Sequence, residues 1–377
     1  MRTLVVAHGS AELYGSDLQL VESVRAAVDD GWDVLVVLPV PGPLAARLAA
    51  VGARVATAPV PVLRKSLLRP RALPGLVAAA ARAAFEGVRL LRRERADAVY
   101  VNTVTVPTWL VAARLARVPA LCHVHEAEDG LPRPVAAALT APLLLARSVV
   151  TNSEAARRTL GATFPALGRR ATVVHNGVAG PPAPPAPRVA HGGPLHVALV
   201  GRLSPRKGTD VALDALALLV ARGHDVRLTV AGSTFPGYEW FEDGLRARSQ
   251  EPDLAGRVDL LGFVHPTWPV LADVDVVLVP SRVEPFGNTA VEAMLAHRPV
   301  VASRTQGLAE VVEDGVSGLQ VPPDDPHALA DAVERLATDP ALRARLADRG
   351  ADEAARRFGT RRYAADVRRA LRTLVEG

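Results

Sequence analysis

Two short segments in the second half of this 377-residue chain carry side chains suited to chemistry. The first is GRLSPRKG at Gly201–Gly208, which follows a β-branched run and holds Arg202 and Lys207. It opens an apolar helix predicted from Val211 to Val220. Cations beside the free N–H groups of a helix start form a site for a diphosphate. The alternative is a basic loop exposed to solvent, which is the commoner fate of such a segment.

The rarity of lysine bears on this choice. Only two lysines, Lys65 and Lys207, occur among the 44 basic residues of the chain. A compact ammonium group differs from the planar fork of arginine, so the two side chains are not interchangeable at a phosphate. Lysine at position 207 therefore favours the phosphate interpretation.

The second segment, PSRVEPFGNTAVEAM at Pro280–Met294, places two carboxylates around a predicted helix start. Glu284 lies in the loop, and Glu292 falls in the first helical turn after Gly287. Carboxylates accept hydrogen bonds from hydroxyls and backbone amides donate to phosphate oxygens, so the segment suits a nucleoside diphosphate sugar. The donating amides would be those of Phe286, Gly287, Asn288 and Thr289.

A structural explanation exists for one of these carboxylates. Thr289 and Glu292 have the spacing of a capping box, in which the glutamate only completes a helix end. Glu284 has no comparable role, because a loop carboxylate beside proline and phenylalanine gains little stability there.

Polar residues also follow a predicted strand of the first half, Ala120–Glu126. His123, His125, Glu126, Glu128 and Asp129 cluster there. The residues by themselves leave two interpretations open: a metal site and a polar strand end. Spacing alone is a weak metal signal, because alternate residues share a face only while the strand lasts.

The elements that must position these residues are short β-branched runs alternating with Ala/Leu/Arg stretches of helical period. Continuous apolar strands separated by helices predict parallel sheets covered on both faces. Ligands of such sheets bind at the carboxyl ends of the strands. The predicted strands of the first half are Leu4–His8, Asp33–Pro39, Arg54–Pro59, Ala98–Thr103, Ala120–Glu126, Val149–Ser153 and Thr172–His175. Those of the second half are His196–Gly201, Val226–Gly232, Val258–Phe263, Val276–Ser281, Pro299–Ser303 and Gly318–Pro322.

The chain divides most naturally at a proline-rich stretch. The 377 residues of the chain exceed what one hydrophobic core usually spans, so two domains are expected. The predicted domains are residues 1–180 and 195–359, joined by a linker at 181–194. The final helix, 360–377, is predicted to pack back on the first domain. The predicted class is α/β, with two Rossmann-like, doubly wound domains facing across a cleft.

Composition excludes several classes of protein. With 49% hydrophobic and 22% charged residues, the chain is neither disordered nor collagen-like. The single cysteine, Cys122, cannot form an internal disulfide, which indicates a reducing cytoplasm. The longest apolar stretch, Val135–Ala146, is too short to span a bilayer. The first residues read as a strand and not as a signal peptide.

The positive charge is concentrated in one stretch, residues 62–95. Nine basic and two acidic residues occur there, mixed with leucines. An amphipathic, arginine-rich segment is typical of a contact with a membrane surface. In a cytoplasmic protein this would be the inner face of the membrane. An ordinary solvated helix face is the equal alternative. Nucleic acid is not expected, because aromatic residues make up only 4% of the chain and no binding motif occurs.

In combination, GRLSPRKG and PSRVEPFGNTAVEAM resemble the retaining GT-B glycosyltransferases of family 4, also called glycosyl transferases group 1. The two glutamates of that family are separated by seven residues, as Glu284 and Glu292 are here. The resemblance extends over NGV at Asn176–Val178, AGS at Ala231–Ser233 and GLAEVVEDGVSGLQVPPDD at Gly307–Asp325. It is looser in the first half, where the usual double glycine is absent from the loop around Gly15.

This resemblance implies a role for each candidate residue. Arg202 and Lys207 would neutralise the leaving diphosphate, Glu284 would bind hydroxyls of the transferred sugar, and Glu292 the ribose. The family generally needs no metal or cofactor. His125 would face the reacting sugar carbon. The donor site would be completed by the backbone amides of Gly15, Ser16 and Phe286–Thr289, and the nucleotide base would lie near Phe263 and Val264.

The expected function is therefore transfer of a sugar, with retention, from a UDP- or GDP-sugar to a hydroxyl acceptor that could be lipid-linked. The product would be a glycan, a glycolipid or a glycosylated metabolite. Two alternatives are a GT-B nucleotide-sugar epimerase and a non-catalytic protein that binds membranes or glycans.

Overall fold

The structure is a computed structural model. It describes residues 1–58, 60, 62, 73–127, 130–183 and 193–376. Two compact units are present: Met1–Gly177 with Thr360–Gly377, and Val178–Gly359. Most of the predicted linker at 181–194, and residues 63–72 of the basic stretch, lie outside the described residues.

The first unit is built on a parallel sheet of seven strands, counted over its described part, in the order β3-β2-β1-β4-β5-β6-β7. The strands are β1 (Thr3–Ala7), β2 (Asp33–Leu38), β3 (Arg54–Thr57), β4 (Ala98–Val101), β5 (Ala120–Val124), β6 (Ser148–Thr151) and β7 (Ala171–Val173). The helices between them are α1 (Gly15–Asp29), α2 (Pro43–Ala50), α3 (Leu73–Arg93), α4 (Thr108–Ala116), α5 (Arg133–Thr140), α6 (Glu154–Thr163) and α7 (Pro165–Arg170).

Both faces of this sheet are buried, which explains why its strands are continuously apolar. Along β1, Leu4 and Val6 pack in one cluster with α1, whereas Val5 and Ala7 pack in another with α4. Successive side chains of a strand point to opposite faces, so a strand covered on both sides needs apolar residues at every position.

The second unit repeats this plan with six parallel strands, among the residues described, in the order β10-β9-β8-β11-β12-β13. The strands are β8 (Leu195–Val200), β9 (Val226–Ala231), β10 (Val258–Gly262), β11 (Val276–Val279), β12 (Val300–Ser303) and β13 (Leu319–Val321). The helices are α8 (Thr209–Ala221), α9 (Glu239–Ser249), α10 (Trp268–Ala272), α11 (Asn288–Leu295), α12 (Leu308–Val311), α13 (Pro326–Thr338) and α14 (Pro340–Phe358).

The strand order reverses direction at one place in each sheet. In the first sheet this switch lies between β1 and β4, and in the second between β8 and β11. Loops that leave the carboxyl ends of two such strands diverge to opposite sides and open a crevice between them. The predicted class, two doubly wound parallel α/β domains, is confirmed, and each predicted strand is present.

The last helix, α15 (Thr360–Glu376), belongs to the first unit. Tyr363 is fully buried, and its hydroxyl shares a hydrogen bond of 2.6 Å with Ser23 of α1. Arg368 donates to the carbonyl of Ala26, also on α1. The apolar stripe of this arginine-rich helix therefore packs on α1 while its cations stay at the surface.

None of the described helices is both long enough and apolar enough to cross a bilayer.

Candidate functional site

The basic turn after β8 depends on one glycine, Gly208. Residues Pro205–Lys207 form one turn of 3₁₀ helix, and Gly208 caps α8 with a φ of 68°. A Cβ on Gly208 would overlap the carbonyl oxygen of Pro280, at the end of β11. Glycine at this position therefore lets the basic turn lie directly against the loop that follows β11.

This close approach brings together two of the predicted site residues, Lys207 and Glu284. They form an ion pair, although 76 residues separate them in the chain. Glu284 is only 8% exposed and also receives a 3.4 Å hydrogen bond from Ser281. Lys207 is thus held by a buried carboxylate, whereas its neighbour Arg206 is exposed.

The other predicted cation of the turn, Arg202, lies against an aromatic ring. Its guanidinium carbon is 3.1 Å from the centre of the Phe235 ring, in the loop after β9. A cation over a ring face is attracted by the ring quadrupole, and the ring also restricts its position. Phe235 was not identifiable from the sequence, because nothing in its spacing connects it to the basic turn.

A further arginine, Arg282, holds the two loops together and was also missed. Its guanidinium forms a bidentate pair with Asp210 at 2.8 and 2.9 Å, and donates to the carbonyl of Pro205. It pairs with Asp324 as well. These hydrogen bonds raise the pKa of Arg282 above its usual range. Arg282 is therefore a structural cation, occupied by carboxylates and a carbonyl.

The second predicted carboxylate, Glu292, lies on α11. Gly287 caps this helix with a φ of 113°, and α11 begins at Asn288. Glu292 therefore lies in the second turn, whereas the sequence predicted it in the first. The capping-box explanation is wrong, because Gly287 occupies the cap without a side-chain hydrogen bond. The carboxylate instead accepts a 3.2 Å hydrogen bond from the Thr267 hydroxyl.

The Glu292 carboxyl lies in an environment that disfavours its charge. Burial raises its pKa to about 7, against smaller opposing effects of the Thr267 hydrogen bond and of the Lys207 charge. A carboxyl that changes charge near neutral pH, beside a cation and a helix N-terminus, is typical of a functional site.

The side chains around the start of α11 differ in how far they are buried. The Phe286 side chain is buried and packs on Phe358, so only its backbone remains a candidate donor. Asn288 and Thr289 are half-buried in the first turn. On the neighbouring side of the sheet, the remaining candidates follow β10: Phe263 is exposed and Val264 is half-buried.

In the first unit, the predicted residues Ser16 and His125 meet at one amide, that of Asn102. His125 Nε2 lies 2.9 Å from the Asn102 Oδ1 atom, and Asn102 Nδ2 lies 3.5 Å from the Ser16 carbonyl. Gly15 and Ser16 form the exposed first turn of α1. Asn102, which follows β4, was not identified from the sequence.

The proposed metal cluster is only partly described, because Glu128 and Asp129 lie outside the described residues. Among the residues that are described, no group of three metal-ligand side chains occurs. Glu126 accepts from Thr103 at 2.6 Å, and His123 Nδ1 lies 2.6 Å from the Tyr100 hydroxyl. Burial lowers the pKa of His123 to about 3.

Comparison with known families gives two adjacent matches. Residues 15–179 match the family described as Glycosyltransferase Family 4, and residues 194–339 match Glycosyl transferases group 1. The second match contains Arg202, Lys207, Glu284 and Glu292.

Individual relatives support the same assignment over part of their length. The α-D-kanosaminyltransferase of Streptomyces kanamyceticus is 38% identical over 157 residues, which are 41% of this chain and 39% of that protein. The D-inositol 3-phosphate glycosyltransferase of Saccharomonospora viridis is 42% identical over 44% of this chain and 40% of its own. The chain thus matches about two fifths of the length of these relatives.

Solved structures show the same fold at low identity. The Anabaena protein HepE in complex with UDP-glucose superposes with a TM-score of 0.81 at 22% identity, over 99% of this chain and 100% of that one. Two Rossmann-like sheets, the two family matches and this superposition agree. The chain belongs to the family 4, group 1 glycosyltransferases and has their GT-B fold.

Proposed function

We propose that this protein transfers a sugar from a nucleoside diphosphate sugar to a hydroxyl group, in the synthesis of a glycan, a glycolipid or a glycosylated metabolite. The observation that carries the proposal is the ion pair of Lys207 with the buried carboxylate of Glu284, beside the start of α11. It lies at the carboxyl ends of β8 and β11, where the strand order reverses. Cofactors and substrates of doubly wound sheets bind at such a point.

The charges of this region match the parts of the donor. Lys207 and Arg202 would bind the diphosphate, with the N–H groups at the start of α11, from Phe286 to Thr289, as further donors. Glu284 would accept from hydroxyls of the transferred sugar and Glu292 from the ribose. The exposed ring of Phe263 and the side chain of Val264 would border the base.

The ligands of one structural neighbour support a uridine nucleotide as the donor. Anabaena HepE was solved with UDP, with UDP and glucose, and with UDP-glucose. A UDP-sugar is therefore the first donor to test, with GDP- and TDP-sugars beside it.

For the first unit, Gly15 and Ser16 would supply backbone amides to the substrate and His125 would face the transferred sugar. We propose retention without a covalent intermediate. The bond from the sugar carbon to the diphosphate oxygen breaks, the acceptor oxygen bonds to the same face, and its proton passes to the leaving diphosphate. Lys207 and Arg202 would supply the positive charge at the leaving group, so no metal ion is required.

Donor binding and hydrolysis test this proposal directly. In a thermal-shift screen, a UDP-sugar is expected to raise the melting temperature through its preferential binding to the folded state. With water as acceptor, an α-linked donor is expected to release the α-anomer of the sugar first. NMR detects this anomer before it mutarotates, and the same result is expected when EDTA is added. Release of the β-anomer would contradict retention, and a loss of turnover in EDTA would contradict metal independence.

The same assay separates the alternative activity. A nucleotide-sugar epimerase would convert the donor to its epimer without releasing free sugar. A protein that only binds membranes or glycans would give neither product.

We further propose a cytoplasmic, membrane-associated protein whose basic stretch 62–95 contacts an anionic membrane surface. In the described part of this stretch, α3 exposes Val77 and Phe85, which are 65% and 62% accessible. Arg89 and Arg92 are exposed on the same helix. Apolar side chains beside cations are the combination that binds an anionic bilayer surface.

Vesicle sedimentation tests this contact. Replacing Arg89 and Arg92 together with alanine is expected to weaken binding to anionic vesicles about thirtyfold, since each cation contributes roughly 1 kcal/mol. The matched control replaces Arg345 and Arg349, which are exposed on α14 of the second unit. Equal losses in both double variants, or no binding by the unaltered protein, would refute the contact.

A further inference from the structure

The carboxyl ends of β1, β4 and β5 in the first unit carry a connected line of buried polar side chains. His8 follows β1, Asn102 follows β4 and His125 follows β5, while Asp17 lies in the first turn of α1. His8, Asp17 and Asn102 are each 2% exposed or less. Three of these four residues come from separate βα loops, so only the fold brings them together.

The distances describe a continuous chain of hydrogen bonds. His125 Nε2 is 2.9 Å from Asn102 Oδ1, and Asn102 Nδ2 is 3.2 Å from His8 Nδ1. His8 Nε2 is 2.7 Å from Asp17 Oδ1. The other oxygen of Asp17 accepts from the backbone N–H of Tyr14 at 2.8 Å, which anchors the chain to the start of α1.

The direction of every bond follows from one carbonyl group. The Ser16 carbonyl can only accept, so the atom of Asn102 that lies 3.5 Å from it is the amide nitrogen. That nitrogen donates to His8 Nδ1, which must therefore be unprotonated. His8 then carries its proton on Nε2 and donates to Asp17. The amide oxygen of Asn102 faces His125, which donates from Nε2.

We infer that Asn102, oriented by Ser16 and by the His8–Asp17 pair, is a positioning residue that holds His125 as the neutral Nε2–H tautomer. The Nδ1 atom is then the ring's remaining polar atom, and it carries a lone pair. His125 can therefore offer a substrate only a hydrogen-bond acceptor, which fits a hydroxyl of a sugar and not a phosphate oxygen.

The surroundings of His125 keep the ring uncharged. Burial, followed by repulsion from His123 and His8, lowers the pKa of His125 well below its usual range. The His123 ring lies 4.2 Å from it, centre to centre. Two acidic groups of the described residues lie nearby and are engaged: Asp17 accepts from His8 and Tyr14, and Glu126 accepts from Thr103 and from the His125 backbone N–H.

This inference has a test that does not depend on activity. In protein labelled with ¹⁵N-histidine, two-bond ¹H–¹⁵N spectra are expected to show both His125 and His8 as Nε2–H tautomers at neutral pH. The His125 signals are expected not to titrate between pH 5.5 and 8. An Nδ1–H tautomer, or titration of His125 in that range, would overturn the inference. If no sugar transfer is ever detected, this result still stands, because the spectra do not use the proposed reaction.

The decisive variant is Asn102→Asp, which exchanges one amide nitrogen for oxygen. The new carboxylate can accept from His125 but cannot donate to His8 Nδ1, so one histidine is expected to take up a second proton. We expect a new titration in the spectra, a pH-dependent transfer rate, and a fall in kcat of about tenfold with little change in the KM of the nucleotide donor. Unchanged tautomers and an unchanged pH profile would refute the role of Asn102.

The control is Tyr100→Phe, which removes a buried hydroxyl from the neighbouring contacts with His123 and Ser23. We expect it to lower stability while leaving the His125 tautomer and the pH profile unchanged. A control that shifts the tautomer as much as Asn102→Asp would show that general loosening of the core is responsible. If Asn102→Asp does not fold, the spectra of the unaltered protein decide the question.

Discussion

Replacing Lys207 with alanine is expected to lower the rate of sugar transfer by about two to three orders of magnitude. The ammonium group lies at the carboxyl ends of β8 and β11 and is held there by the buried carboxylate of Glu284. In the proposed reaction, negative charge develops on the leaving diphosphate, and a fixed cation stabilises that charge more in the transition state than in the ground state. The fall is measured as kcat/KM for donor hydrolysis and for transfer.

Lys207→Arg is expected to restore only part of this rate. The planar guanidinium is larger than the ammonium group, and the turn is tightly packed where Gly208 meets the Pro280 carbonyl. Because Lys207 is the partner of Glu284, the alanine variant also leaves a buried carboxylate without its cation, which costs stability. Melting temperatures measured beside the kinetics separate the two effects.

Arg206→Ala is the matched control, since Arg206 is an exposed cation in the same turn. Its removal changes the net charge equally and is expected to alter the rate by less than about threefold, because exposed charges are screened. If Arg206→Ala and Lys207→Ala lose the same activity, the turn acts only through its overall charge, and the assignment of Lys207 to the leaving group fails.

The affinity for a UDP-sugar is expected to rise about tenfold between pH 6 and pH 8, because Glu292, with a pKa of about 7, must ionise to accept from two ribose hydroxyls. The diphosphate of a UDP-sugar is doubly esterified and does not titrate in this range. Isothermal titration calorimetry in buffers of different ionisation enthalpy is expected to detect release of a fraction of a proton at pH 6.5. Glu292→Gln is expected to bind weakly, with no dependence on pH and no proton release.

Stability is expected to change with pH in the opposite sense. The folded-state pKa of Glu292 lies above the usual value of 4.5, so its contribution is fully present below pH 4.5 and is lost as the pH rises through 7. The loss is on the order of 3 kcal/mol, because folding moves this pKa from 4.5 to about 7. Glu292→Gln lacks this loss and is expected to melt several degrees above the unaltered protein at pH 8, but not at pH 5.

These two measurements check each other. Thr267→Val removes the hydroxyl that donates to Glu292 and is expected to raise the pKa of Glu292 further, moving the binding profile to higher pH. A flat profile in the unaltered protein, or a variant Glu292→Gln that keeps the pH dependence, would exclude Glu292 as the titrating group.

The predictions from sequence held where local pattern carries the information. Continuous β-branched runs such as Val276–Val279 can be accommodated only in a sheet buried on both faces, and helical stretches between them require a parallel arrangement. The spacing of Glu284 and Glu292, and the cations in Gly201–Gly208, likewise identified the segments that the family matches contain. These features are visible because each depends on residues close together in the chain.

The polar residues of the first unit were less visible for the same reason. Asn102, His8 and Asp17 are an amide, a histidine and a carboxylate at unremarkable positions, each explicable as a strand end or a helix start. Only the order β2-β1-β4-β5 places His8 beside Asn102 and Asn102 beside His125. Their hydrogen bonds span up to 94 residues, and no periodicity in the sequence records such a distance.

By itself, the sequence determined the two α/β units, the parallel sheets and the identity of the charged residues in the loops after β8 and β11. The tertiary structure decided which of those charges meet. In the structure, Lys207 pairs with Glu284, and Arg282 pairs with Asp210 and Asp324. Glu292 contacts Thr267 and does not complete a helix cap. The reason is that the sequence fixes the chemical type of each side chain, whereas its partner and its pKa depend on which strand ends the sheet places side by side.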